Sequence, residues 1–218
     1  LNIILFGLIS LILLSQPDFG MFILFFCVWI LQVLNSNLEK KIIFPILGLF
    51  FLTFILSYLF IDHVRFRIDN FLFPNIGDNY QITKSLESFA NGGLFGQGIG
   101  NGTVSKNLPD AHSDFIYALI GEEFGFITAF SILIFYIIIY IRIYFVSKIT
   151  KNLFILNSLT GLGNILIFQT IINISSSLNL LPTKGMTLPF ISYGGSSIIS
   201  SSLVVGFILT LIKNAKNQ

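Results

Sequence analysis

Phe126-Ile127-Thr128-Ala129-Phe130-Ser131-Ile132-Leu133-Ile134-Phe135-Tyr136-Ile137-Ile138-Ile139-Tyr140-Ile141 carries no charge, and its reading decides the fold. It is the heart of a longer apolar segment, 114–142. The apolar residues run on without the alternation of a barrel strand, so the segment reads as a helix made for lipid. In hydrocarbon only helices and closed barrels satisfy their own backbone. Five more apolar segments can be drawn around it, at 1–15, 19–35, 42–61, 153–177 and 189–212. Only 10% of the chain is charged and 54% is hydrophobic, where a soluble domain carries about 25% charge. The mean hydropathy is +0.87. The expectation is an all-α polytopic membrane helix bundle with about six transmembrane helices. It reads as one domain over 1–218, with a long structured outer loop, 62–113, between the third and fourth helices.

Charge places the two sides. Lys40 and Lys41, then Arg142, Lys148 and Lys151, then Lys213 and Lys216 fall between or after alternate segments. Together they are seven of the twelve basic residues. The positive-inside rule makes that side cytoplasmic. Residues 16–18, the loop 62–113 and the loop 178–188 then face outward. Arg65, Arg67, Lys84 and Lys106 lie in that outer loop and count weakly against the assignment, because long loops obey the rule poorly. A net charge of +2 implies no nucleic-acid partner. One cysteine, Cys27, allows no internal disulfide, and two histidines with it make no zinc site. The chain opens inside an apolar run without a basic n-region, which is unlike a signal peptide. The expectation is a fragment that earlier helices precede.

The outer loops are dense in backbone-permissive residues. The first cluster is Asn91-Gly92-Gly93-Leu94-Phe95-Gly96-Gln97-Gly98-Ile99-Gly100, leading to Leu108-Pro109-Asp110-Ala111-His112-Ser113-Asp114. The second is Leu181-Pro182-Thr183-Lys184-Gly185-Met186-Thr187-Leu188-Pro189, followed by Phe190-Ile191-Ser192-Tyr193-Gly194-Gly195-Ser196-Ser197. A chain that only had to span lipid would not require them. Ahead of the first cluster, Ile82, Leu86, Phe89 and Ala90 recur at helical spacing. They predict a short amphipathic helix lying on the membrane surface, ended by Gly92 and Gly93. The glycines Gly92, Gly93, Gly96 and Gly98 do not make a nucleotide site, since no strand precedes them and no P-loop lysine follows. Their role reads as conformational, permitting positive φ and close backbone approach.

Several side chains are placed for chemistry, each beside a plainer reading. Asp114 opens the fourth helix and would cap it, yet Asp110, His112 and Asp114 crowd together at the lipid boundary. Glu122 and Glu123 lie two turns further in, Glu122 about 80° around the helix from Asp114 and Glu123 on the opposite face. One of them faces a polar cavity shared with Asp114, or a neighbouring helix through a hydrogen bond. Gly121 and Gly125 form a GxxxG pair suited to close helix packing. Lys184 is the one charge in its tight loop, either snorkelling to headgroups or facing an anionic lipid or pyrophosphate. Ser192, Gly194, Gly195, Ser196 and Ser197 open the last helix and offer donors to an anion, or pack as small residues. Arg65 and Arg67 bind phosphate or anchor the third helix at the interface. Asp18 caps the second helix. No Gly-x-Ser-x-Gly elbow is present, which argues against a serine hydrolase.

Together these motifs resemble the SEDS family of bacterial cell-wall proteins, nearest its FtsW branch. The resemblance rests on Pro17-Asp18-Phe19-Gly20, Arg65-Phe66-Arg67-Ile68, Tyr80-Gln81 with Ser85-Leu86, and Gly92-Gly93-Leu94-Phe95-Gly96-Gln97-Gly98. It continues through Leu108 to Ile116, Gly121-Glu122-Glu123-Phe124-Gly125 and the whole block 181–197. It implies a fold of about ten membrane helices, of which this chain resembles the last six. It implies a peptidoglycan glycosyltransferase of the bacterial inner membrane that polymerises lipid II on the outer face, during cell division and wall synthesis. The family's proposed catalytic aspartate falls on Asp114 and its important lysine on Lys184. His112, Arg65, Arg67, Glu122, Ser196 and Ser197 are then candidates for substrate binding. Gly92, Gly93, Gly96, Gly98, Pro109, Pro182, Gly185, Pro189, Gly194 and Gly195 shape the loops. Partners implied are a class B penicillin-binding transpeptidase and other divisome membrane proteins. No metal ligand set is assigned, and a divalent cation, magnesium or manganese, stays open as a source of positive charge. Some relatives carry an acidic residue before the Leu-Pro motif where this chain has Lys106-Asn107, which weakens any role for a second carboxylate there. Two other readings are a lipid II flippase and a non-catalytic divisome scaffold.

Overall fold

A computed structural model describes residues 2–16, 18–35, 40–73, 79–183 and 185–216. Among these the chain is helical, without strands. Where the sequence reads as one domain, the packing gathers in two compact units, Leu1–Gly77 and Asp78–Gln218.

The first unit holds α1 (Asn2–Ser15), α2 (Phe19–Asn35), α3 (Lys40–Phe60) and α4 (Asp62–Leu72). Asp18 caps α2 as expected, its Oδ1 accepting from the amide of Met21 at 3.2 Å. The core is aromatic: Phe26, Trp29 and Val33 of α2 are buried against Phe6 of α1 and Ile46, Leu47 and Phe50 of α3. Phe6 stacks on Trp29 and Phe26 on Phe50, with centroids 4.1 Å and 3.7 Å apart. Such aromatic pairs add about 0.5–1.5 kcal/mol each to the area buried. The chain then turns by 94° into α4, a helix at the start of the expected structured outer loop. Tyr58 of α3 donates to Asp69 of α4 at 2.8 Å and holds the bend.

The second unit holds α5 (Tyr80–Gly92), a 3-10 turn (Ser105–Asn107), α6 (Ile116–Ile149), α7 (Leu153–Ser177) and α8 (Gly195–Lys216). α6 and α7 form a hairpin over residues 150–152, where Asn152 caps α7 by accepting from Phe154 and Ile155. Gly163 lets the pair close: a Cβ there would stand 3.1 Å from Ile143. Below, Ile143, Ile155, Leu159, Leu166 and Ile208 join α6, α7 and α8. Above, Tyr117, Ile120, Ala129, Ile174 and Leu188 form a second cluster.

α6, α7 and α8 are long and apolar enough to cross a membrane, and α3 with α4 would make a fourth, bent span. α1 and α2, at 14 and 17 residues, fall short of the ~20 residues a spanning helix needs. The expected six spans are thus three full-length helices, one bent pair and two shorter apolar helices. This is a multi-pass membrane protein.

Three local expectations change. α6 begins at Ile116, so Asp114 lies in the turn before it and not on its first turn. α8 begins at Gly195, not at 189. Pro189 has no amide hydrogen to give a helix, and Ser192 turns its hydroxyl onto the amide of Leu188 at 2.7 Å, competing with helix geometry. The helix at 80–92 exists, but its buried face is Ser85, Ser88 and Gly92, while Leu86 is exposed. Small residues win that face because α5 packs closely on the rest of the unit. Ser85 donates to the carbonyl of Ser177 in α7 at 2.7 Å.

Candidate functional site

Glycine breaks α6 and the first loop mends the break. Gly125 sits at φ 84° and ψ 172° inside the helix, a conformation close to forbidden for any residue with a Cβ. The break strands helix carbonyls and amides, and buried backbone groups must find partners. The Gly92–Gly98 segment supplies them. Gln97 and Gly98 donate to the carbonyls of Glu122 and Glu123, at 2.9 Å and 3.0 Å. Phe126 and Ile127 donate to the carbonyls of Gly93 and Leu94, at 2.9 Å and 3.3 Å. A Cβ on Gly125 would meet the Gly96 amide at 2.5 Å, and one on Gly92 would overlap the Gly121 backbone. Gly121 and Gly125 therefore admit Phe89 and the loop, not a second membrane helix as the GxxxG spacing suggests.

Glu122 completes this joint. It is fully buried, and its Oε1 accepts from Asn91 Nδ2 at 2.6 Å and from the amides of Thr103 and Val104 at 3.0 Å each. Its Oε2 accepts from the amide of Ser105 at 2.7 Å. The carboxylate orders the loop 103–105 from beneath. The helical-wheel relation to Asp114 does not hold, because Asp114 is off the helix.

Asp114 stands on a tight turn. Asp110 takes φ 55°, and its carbonyl accepts from the amides of Ser113, Asp114 and Phe115 at 3.0–3.3 Å. Leu108, Ala111 and Phe115 are buried beside Ala118 and anchor the turn. The carboxylate itself is half-buried and faces the second loop. A Cβ on Gly185 would sit 3.0 Å from Asp114 Oδ2. Gly185 has φ +65°, so both its conformation and its neighbour call for glycine.

The second loop is tied to the same turn. Ser192 Oγ donates to the carbonyl of Ser113 at 2.5 Å, and the amide of Tyr193 donates to that of His112 at 2.9 Å. The rings of His112 and Tyr193 meet edge to face, 5.5 Å apart. From α7, Asn173 Nδ2 reaches the carbonyls of Asp114 and Met186, at 2.9 Å and 2.5 Å. One turn earlier on α7, Gln169 Nε2 donates to the carbonyl of Thr187 at 3.0 Å. Thr187 Oγ1 and Ser197 Oγ share a hydrogen bond of 2.8 Å. Tyr136 of α6 donates to the carbonyl of the buried Pro189.

Asp114, His112, Gly185, Pro189, Gly194 and Ser197 are thus brought together, and exposed Gly195 and Ser196 lie beside them on the first turn of α8. Pro109 is exposed on the Asp114 turn, and Pro182 is half-buried ahead of Gly185. Lys184 lies outside the described residues. Arg65 and Arg67 belong to the first unit, on α4, where Arg65 pairs with Asp69 at 3.6 Å. Among the described residues no three of His, Cys, Asp and Glu gather as metal ligands. Sequence reasoning missed Asn91, Gln169, Asn173 and Thr187, and it placed Ser192 on the last helix, where the structure puts it in the loop before α8. The signal for two of them was present: Gln169 and Asn173 are amides four apart on an apolar helix, where polar side chains are costly.

A family profile described as cell cycle protein, FtsW/RodA/SpoVE, matches residues 1–217. A probable peptidoglycan glycosyltransferase FtsW of Caulobacter vibrioides is 40% identical over 157 residues, which are 72% of this chain and 40% of that protein. One of Buchnera aphidicola is 39% identical over 209 residues, 93% of this chain and 52% of that protein. The chain spans about half the length of these relatives. Among solved structures, a peptidoglycan synthase complex described as coordinating polymerization and crosslinking matches all of this chain and 62% of its own, with TM-score 0.76 at 23% identity. The rod shape determining protein RodA of Thermus thermophilus matches 98% of this chain and 57% of its own, with TM-score 0.64 at 24% identity. Those two likenesses concern the fold, and with the profile over almost every residue they lead to one conclusion: the chain belongs to the FtsW/RodA/SpoVE family of cell cycle proteins.

Proposed function

We propose that this protein is a peptidoglycan glycosyltransferase of the bacterial inner membrane that polymerises lipid II at the outer face, with Asp114 as general base. The observation that carries the reading is a half-buried carboxylate on a turn tied to both α7 and the 185–194 loop. That turn precedes a long apolar helix whose far end carries Lys148, with Lys151 just beyond it. The names of the relatives support the reaction class, and the basic far end supports the outward placement.

In this reading Asp114 takes the proton from the 4-hydroxyl of the acceptor GlcNAc. The oxygen forms a bond to the anomeric carbon of the donor MurNAc. The bond from that carbon to the pyrophosphate breaks, and undecaprenyl pyrophosphate leaves with the electron pair. One in-line displacement inverts the α-linked donor to a β-1,4 link. Lys184 is the proposed counter-charge for the leaving pyrophosphate. His112, Ser196 and Ser197 are proposed donors to the substrate. The described residues offer no ready cage for a divalent cation, and no step is assigned to one. The likeness to a synthase complex that couples polymerization to crosslinking supports a class B penicillin-binding transpeptidase as partner.

Polymerisation of lipid II by the purified protein, with whatever natural sequence flanks these residues, tests the assignment. Asp114→Asn keeps the shape and removes the base. A general base contributes about 10²–10⁴-fold, and a loss of that size is expected. Activity within a few-fold of the parent would remove Asp114 from the role.

A further inference from the structure

We infer that Asn173 is a positioning residue for Asp114, acting through the backbone of the turn that carries the carboxylate. Three consecutive carbonyls of that turn are caught from outside it: His112 by the amide of Tyr193, Ser113 by the hydroxyl of Ser192, and Asp114 by the side chain of Asn173. Asn173 makes the bond to the aspartate itself. It is fully buried on α7, and its Nδ2 spends both hydrogens, one on Asp114 and one on Met186. Met186 follows Gly185, whose Cα faces the Asp114 carboxylate. A single amide therefore fixes the spacing between the aspartate and the backbone in front of it. Two carbonyl acceptors also fix which way the amide faces, since only its nitrogen can donate. Its Oδ1 is buried and finds no hydrogen-bond partner among the described residues.

The consequence is kinetic and rests on Asp114 being the base. A carboxylate displaced by about 1 Å loses roughly 10²-fold in rate, without losing contact with a large lipid-linked substrate. Asn173→Leu removes both donors and keeps the branched shape, with two bulkier methyls in place of the amide. It is expected to lower kcat about 10- to 100-fold with KM little changed. Placed on top of Asp114→Asn, it should add almost nothing to the loss, because two groups acting as one unit are not additive. The parent, both single variants and the double variant are compared by steady-state lipid II polymerisation over a range of substrate concentrations.

An unchanged kcat for Asn173→Leu overturns the inference, and so does a loss confined to KM. A full multiplicative loss in the Asp114→Asn background also overturns it, since a purely structural residue behaves that way. Near-normal activity of Asp114→Asn alone defeats the base assignment instead, so the two failures are read separately. If Asn173→Leu does not fold, Ser192→Ala removes the bond to the Ser113 carbonyl on the same turn. The same drop in kcat and the same non-additivity are then expected, and their absence counts equally against the inference.

Discussion

At the scale of single residues, Asp114 and Gly185 form one unit. Gly185 is glycine for two reasons: its positive φ, and the carboxylate oxygen 3.0 Å from where a Cβ would stand. Gly185→Ala should cost about 1–2 kcal/mol in backbone strain. It should also push the carboxylate aside and lower lipid II polymerisation by at least about 10-fold. Thermal unfolding and initial rates on the same preparation separate the two effects, and a variant of normal rate would mean the contact is slack. Glu122 is the contrasting acid. Four donors, three of them backbone amides, occupy its oxygens. Glu122→Gln sets an NH₂ against amides that need an acceptor, with an expected loss of about 1–3 kcal/mol. Protease cleavage within residues 98–107 should rise accordingly. Both acids are legible in the sequence as unusual charges near or within an apolar segment. Their division into a loop anchor and a proposed base is not, because it depends on which amides happen to lie within 3 Å.

At the scale of elements, the Gly-rich loop and the start of α6 are one object. Residues 93–98 and 122–127 exchange four backbone hydrogen bonds, though one of the two segments lies inside a helix. Tyr117 spans the break by donating to the carbonyl of Ala129 at 2.9 Å. A residue with a Cβ at 125 meets a forbidden conformation, costing about 1–3 kcal/mol, and collides with Gly96 as well. Gly125→Ala is therefore expected to lower the melting temperature of the detergent-solubilised protein more than Gly206→Ala, where nothing lies within 4 Å. Equal melting temperatures would show that the break is not built around that glycine. The glycine spacing at 92, 93, 96 and 98 and at 121 and 125 is plain in the sequence. What it cannot reveal is that the two sets answer each other, since pairing across some 25 residues of chain is a tertiary fact.

At the scale of the whole molecule, orientation follows from charge. Lys148 and Lys151 lie at one end of the α6–α7 hairpin and the Asp114 turn at the other. A cysteine introduced at exposed Asn101, with Cys27 replaced by serine, should react with a membrane-impermeant thiol reagent added outside intact spheroplasts. One at Lys151 should react only after the membrane is opened. The opposite pattern would put the turn in the cytoplasm, away from the face where the proposed reaction takes place.

Composition and apolar run length determined the membrane class and the helices, because lipid permits no other way to satisfy a backbone over 20 or more residues. The motifs determined the family and drew attention to Asp114. Tertiary structure alone decided that Asp114 precedes its helix, that Glu122 holds a loop, that Ser85 and Ser88 rather than Leu86 form the buried face of α5, and that Asn173 meets the aspartate. In each case the deciding term is a hydrogen bond or close approach between segments distant in the chain. Periodicity reports only which face a residue occupies, and not what will stand opposite it.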